Sequence, residues 1–230
     1  MMRGKRSGRA AEDETRGLHP RSRSSVTKHD HSSGTRDQRR QGAPRQVRIV
    51  GGSWKRTLLP VPDIPGLRPT PDRVRETAFN WLLHLRPDAT ALQGLDLFAG
   101  TGALGFELAS RGARRVTLVE MHPRALEGLR ATRTRLDARQ VEIIAGDALS
   151  VAASLPAGSF DVFFLDPPFD SRLQAPALSG ARRLLASDGL IYLEAPAPLP
   201  PEQAQQAGLE IVRQGNAGQV AFHLLRVPTA

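Results

Sequence analysis

Four residues past the middle of the chain have types and order that could do specific chemistry: Asp166-Pro167-Pro168-Phe169. Two prolines fix φ and delete two backbone N–H donors. What this corner offers is acceptors only, the Asp166 carboxylate and backbone carbonyls. A rigid, acceptor-only corner suits a substrate group with two N–H donors, such as the exocyclic amine of a nucleobase. Hydrogen bonds from both N–H groups, to Asp166 and to the Pro167 carbonyl, favour a pyramidal nitrogen whose lone pair is free to attack. Positioning of this kind can supply about 7–11 kcal/mol of a barrier. Phe169 can stack on the base, worth about 1–3 kcal/mol. The plainer alternative is a stiff loop after a buried strand.

A second set lies upstream. Gly100, Gly102 and Gly105 have the spacing G-x-G-x-x-G. The first glycine permits a tight turn, the second lets backbone approach a ligand, and the third allows close helix–strand packing. An ordinary βα turn can look the same. About 20 residues on, Glu120 ends the next apolar run, where an acid can accept from both hydroxyls of a ribose. Asp147, followed by Ala148, ends a third run and can reach an adenine amino group, or simply cap a helix. Asp96, Phe98 and Thr101 flank the glycines and complete the cofactor-binding candidates with Ala148. These strand ends alone fit a dinucleotide or S-adenosylmethionine. The Asp166 corner selects the second, because its sulfonium carries the methyl group that an oriented amine would attack. No metal is needed, and the six histidines show no metal-ligand spacing.

A third set is basic. Arg48, Lys55, Arg56, Arg68, Arg73 and Arg75 surround Trp54. Cations contact phosphates and an aromatic ring offers a stacking face. Arg48, Trp54, Arg68, Thr70, Arg73 and Glu76 are the substrate-binding candidates, whereas Trp81, on an apolar helix face with Phe79 and Leu82, is expected in the core.

The elements that must position these residues follow from hydrophobic periodicity. Strands are expected at 95–98, 116–119, 141–144, 160–165 and 190–193, with helices near 102–111, 123–136, 148–155 and 175–185. This alternation calls for an α/β, doubly wound, mostly parallel sheet with helices on both faces. Apolar runs at 209–213 and 220–226 around Gln-Gly-Asn-Ala-Gly read as an antiparallel edge hairpin. The expected whole is a seven-stranded, Rossmann-like methyltransferase sheet at 91–230. A small hairpin and a helix from Asp72 to His84 precede it, in a module at 46–90.

Residues 1–45 differ in kind. They hold 12 Lys/Arg against 5 Asp/Glu, which accounts for most of the net charge of +9. With almost no large apolar residues, the segment is expected to be a disordered basic tail, either attracting polyanions or merely solvated. Cysteine is absent, which excludes disulfides and thiol chemistry. No secretory signal and no run of about 18 apolar residues is present, so a cytoplasmic protein without a membrane partner is expected.

Several stretches are similar to one family. Arg48-Ile49-Val50-Gly51-Gly52-Ser53-Trp54, Leu67-Arg68-Pro69-Thr70, Asp72-Arg73-Val74-Arg75-Glu76-Thr77, Phe79-Asn80-Trp81-Leu82 and Ala217-Gly218-Gln219-Val220-Ala221 resemble the bacterial 16S rRNA (guanine-N2)-methyltransferases of the RsmD type. The resemblance covers about residues 46 to 226. It implies S-adenosylmethionine as cofactor and methylation of one guanine N2 in the small-subunit head. The implied partner is 16S rRNA within the 30S subunit or a late assembly intermediate, and the implied state a monomer. It also suggests that the Arg68 to Glu76 stretch lies over the cofactor and target pocket. Thr70-Pro71, Leu224-Leu225 and the long tail depart from the family pattern. Two other readings stay open: a DNA adenine-N6 or cytosine-N4 methyltransferase, and a non-catalytic RNA-binding assembly factor.

Overall fold

A computed structural model describes residues 46–168 and 172–228. Phe169 and the tail at 1–45 lie outside the described residues. The frame is a seven-stranded sheet. Its strands are β3 (Gln93–Asp96), β4 (Arg115–Glu120), β5 (Val141–Ala145), β6 (Phe160–Leu165), β7 (Leu185–Ala195), β8 (Glu210–Ala217) and β9 (Val220–Arg226), in the order β5-β4-β3-β6-β7-β9-β8. The first five pair in parallel, and β9 runs antiparallel to both β7 and β8. The expected hairpin therefore closes the edge, with its second strand placed inside its first. A short helix, α6 (Pro201–Gln206), precedes the hairpin and was not foreseen.

Strand side chains alternate between two cores, as period-2 geometry requires. Val162, Phe164, Leu190 and Tyr192 belong to one core, and Phe163, Leu165, Ile191 and Leu193 to the other. The first is covered by α1 (Asp72–Leu85), α2 (Ala103–Ser110) and α3 (Pro123–Arg135). The second is covered by α4 (Ala148–Ser154), α5 (Gln174–Leu184) and α6. The same alternation puts Asp96, Asp166 and Glu194 on the first face, at the carboxyl ends of three neighbouring strands. Trp81 is half-buried and stacks on Phe222, with centroids 5.2 Å apart, as expected of a core residue.

Helix α2 is buried all round. Its far side is covered by the N-terminal hairpin, β1 (Gln46–Arg48) with β2 (Leu58–Pro60). Glu107 on α2 has no exposed surface, and its carboxylate accepts from the N–H groups of Val50 at 2.6 Å and Gly51 at 2.8 Å. Arg75 and Arg111 also donate to it. Gly52, at φ +76°, lies so close that a Cβ would sit 1.9 Å from the Ser110 carbonyl oxygen. Arg75, counted among the phosphate-binding cations on sequence grounds, is completely buried and donates to the carbonyls of Thr70 and Arg48 and to Asp72 and Glu107. An ion whose donors are all turned inward cannot contact RNA. It is a strut.

Removing one partner of a buried, hydrogen-bonded ion pair strands the other, at a cost of about 3–5 kcal/mol. Glu107→Ala is therefore expected to lower unfolding stability by about that much in denaturant titration. Glu142→Ala, which breaks the exposed pair with Arg115, should cost less than about 1 kcal/mol. Equal losses would refute the strut.

Candidate active site

The glycine loop begins where β3 ends. β3 stops at Asp96, two residues earlier than the periodicity predicted, and the chain turns through Gly100 (φ +52°) and Gly102 (φ +76°). L side chains rarely tolerate these values. Contacts close the remaining space. A Cβ on Gly102 would meet Phe106 and Leu129 at 2.6 and 2.7 Å, and one on Gly105 would meet Leu118 at 2.1 Å. Gly105 thus serves close helix–strand packing, as expected. The Gly105 N–H donates to Asp96 Oδ2 at 3.1 Å.

Glu120, at the end of β4, fastens the loop. Its Oε2 accepts from Gly100 N–H at 2.8 Å, while Oε1 accepts from the N–H groups of Met121 and His122. A carboxylate has about four lone-pair sites, so one on Oε2 is left for a ligand hydroxyl. Asp147 caps α4, accepting from Ser150 N–H at 2.9 Å; that bond holds its carboxyl below the usual range, so it stays charged. His122 caps α3 through Nδ1, which leaves the proton on Nε2.

A cavity of about 640 Å³ opens between these strand ends and a strap formed by residues 64–71. Of the residues singled out from sequence, Arg68, Thr70, Asp96, Phe98, Gly100, Thr101, Glu120, Asp147, Ala148, Asp166, Pro167 and Pro168 line it. Gly102 and Gly105 stand just behind. Four others are not brought to it. Arg48 is exposed and paired with Asp72. Trp54 is half-buried against the first core. Arg73 and Glu76 are exposed on α1. The strap touches the loop directly, since a Cβ on Gly100 would lie 2.8 Å from Leu67.

The cavity also contains a residue that the sequence reading missed. Glu194, near the end of β7, is 3 % exposed and lines the same space. It accepts a hydrogen bond from Tyr192 Oη at 2.9 Å and bonds the Thr70 hydroxyl. A single acid closing an apolar strand was the available signal.

Three carboxyl groups thus meet at the cavity, Asp96 and Glu194 buried and Asp166 half-buried. Burial pushes Asp96 up to about 7, against the pull of the Gly105 N–H. Burial, then the charges of Glu194 and Asp96, push Asp166 well above the usual carboxylate range, opposed by Arg68. Burial raises Glu194 as well, opposed first by the Thr70 and Tyr192 hydroxyls and then by Arg75 and Arg68. Asp96 Oδ1 is buried without a well-formed hydrogen bond among the described residues. Such a cavity favours an entering cation, and its orphaned acceptor suits an ammonium. A sulfonium amino acid carries both.

Comparison with known proteins gives the family. The family described as Conserved hypothetical protein 95 matches residues 47–226. The chain is 41% identical over 183 residues to ribosomal RNA small subunit methyltransferase D of Escherichia coli K12, covering 78% of this chain and 89% of that protein. It is 40% identical to the protein of the same name from Haemophilus influenzae, covering 66% and 80%. A solved Escherichia coli structure, provisionally assigned as a methyltransferase, is 38% identical with a TM-score of 0.68, covering 80% of this chain and 99% of its own. The chain belongs to the ribosomal RNA small subunit methyltransferase D family.

Proposed function

We propose that the protein moves a methyl group from S-adenosylmethionine to the exocyclic N2 of one guanine in 16S rRNA, within the 30S subunit or a late assembly intermediate. One observation carries the reading. The acceptor-only corner at Asp166-Pro167-Pro168 opens onto the same cavity as the glycine loop and the three crowded carboxylates.

The cofactor, when bound, supplies an electrophilic methyl group on a positively charged sulfur. The chain's own residues do the rest. Asp96 Oδ1 fits the cofactor's ammonium group, and the spare lone pair of Glu120 and the Asp147 carboxylate fit its ribose and adenine. Asp166 and the Pro167 carbonyl accept from the two N–H groups of the target amine and aim its lone pair. Asp166 then takes the proton that the methylated nitrogen sheds, or passes it to water. Aiming and charge stabilisation are its main work. Phe169 is assigned to stacking on the base, and Arg68 and Thr70 to the approach of the target. Arg48, Trp54, Arg73 and Glu76, outside the cavity, are assigned to flanking RNA. The basic segment 1–45 is read as an added phosphate-binding arm. The enzyme is taken to act as a monomer, and its substrate places the reaction in the cytoplasm.

The test uses labelled S-adenosylmethionine and 30S particles from a strain lacking the modification. Asp166→Ala should lower kcat by about 100-fold or more, with cofactor affinity changed only a few-fold. Unchanged labelling would remove Asp166 from the chemistry. Cofactor binding should also depend on pH. Asp96 keeps its proton up to about 7 in the fold, against about 4 in an unfolded chain. The cofactor-free fold therefore loses stability as pH rises between those values. A cation favours the ionised form, so affinity measured by calorimetry should rise about tenfold from about pH 6 to about pH 8. Asp96→Asn should flatten that rise, and a persisting slope would place the titration elsewhere. Removing residues 1–40 should weaken binding to 30S particles and flatten its salt dependence; unchanged affinity at low salt would make the arm inert.

A further inference from the structure

We propose that Glu194 is the residue that selects guanine, by accepting the base's N1–H while Asp166 and the Pro167 carbonyl accept its N2 hydrogens. The inference rests on the methyl-transfer reading above and extends it to base choice.

The argument starts from register. β6 and β7 pair in parallel with Phe164 opposite Tyr192 and Leu165 opposite Leu193. Carried one step further, the register sets Asp166 beside Glu194, with both side chains on the same face of the sheet and both lining the cavity. The two carboxyl groups sense each other's charge.

Two neighbouring acceptors make a pattern that few bases match. Guanine presents N1–H and the N2 amine side by side, all donors on one edge. Adenine flanks its N6 amine with ring nitrogens that are acceptors. Cytosine flanks its N4 amine with the acceptor N3. Either base would set a lone pair against the Glu194 carboxylate, leaving two buried acceptors face to face. A site built to pair a hydrogen rejects the analogue lacking it strongly, because the site's own group is then left unpaired.

The surroundings of Glu194 hold it as an acceptor. Tyr192 Oη donates to Oε1, and the Thr70 hydroxyl bonds the same carboxylate. Burial raises its pKa, and the Thr70 and Tyr192 hydroxyls, then Arg75 and Arg68, oppose that rise. Tyr192 lies on the same strand and Thr70 on the strap, so the carboxylate is gripped from two elements. The two hydroxyls do not exhaust its lone-pair sites, and the remainder belong to the group that lines the cavity.

2-Aminopurine separates the two roles. It keeps the exocyclic 2-amine but has an acceptor at N1. 30S particles are reconstituted with 16S rRNA carrying guanine or 2-aminopurine at the target position, and labelled methyl transfer is measured. The wild-type protein should methylate guanine at least about 100-fold faster in kcat/KM. Glu194→Gln, whose amide can donate, should lose activity on guanine and narrow or reverse that preference. Comparable wild-type rates on the two bases would overturn the proposal without any variant. Equal losses on both bases in Glu194→Gln would also overturn it, reducing Glu194 to a structural role. Failure to label either base would instead sink the methyltransferase reading itself, so the two failures are distinguishable.

Discussion

Arg75 has no contact with water, and the hairpin, the strap, α1 and α2 are all fastened to it. Its guanidinium reaches the carbonyl of Arg48 at the end of β1, the carbonyl of Thr70 in the strap, Asp72 on its own helix and Glu107 on α2. A buried cation is tolerable only when its donors find partners. Satisfying it forces the hairpin, the strap and α1 into one arrangement against α2. Glu107 completes the knot from the other side, holding Arg111 and two backbone N–H groups as well. Arg111 in turn lies over the Phe79 ring, 4.9 Å from its centroid. The strap therefore lies over the glycine loop because polar groups behind it leave it little freedom.

Among the described residues, Glu107 and the cavity's three acids are accommodated in opposite ways. Glu107 has positive partners supplied by the fold. Asp96, Asp166 and Glu194 have hydroxyls, the backbone N–H groups of Gly105 and Phe98, and the fields of Arg75 and Arg68, but too little positive charge nearby to hold all three in the ordinary carboxylate range. A cation placed among them would favour their ionised forms. Under the proposed function, a sulfonium cofactor suits this cavity better than a dinucleotide, whose pyrophosphate would meet three acids.

Much of this was legible in the sequence because periodicity reports which face of an element is covered. The five parallel strands, with bounds shifted at β3 and β7, the glycine loop, Glu120, Asp147 and Asp166-Pro167-Pro168 lie where alternation and spacing pointed. Depth was not legible. Arg75 is one of six cations in a short basic stretch, and nothing local distinguishes a strut from a phosphate contact. Glu107 and Glu194 are of a residue type that is seldom fully buried unless paired, and only tertiary packing shows that both are buried. Helix α6 is only six residues long and follows a proline run, too short for a periodic signal. Arg48, Trp54, Arg73 and Glu76 share the basic stretch with Arg68, yet the strap turns only Arg68 and Thr70 into the cavity, because Arg75 fixes where the strap bends into α1.

The central claim is that the acceptor-only corner takes the two hydrogens of a guanine amine. Its most direct test is the identity of the methylated atom. Small-subunit rRNA labelled by the purified protein would be digested to nucleosides and mapped by mass spectrometry. The account predicts N2-methylguanosine at a single position. Label on adenine N6 or cytosine N4, or on a ring nitrogen of guanine, would contradict it.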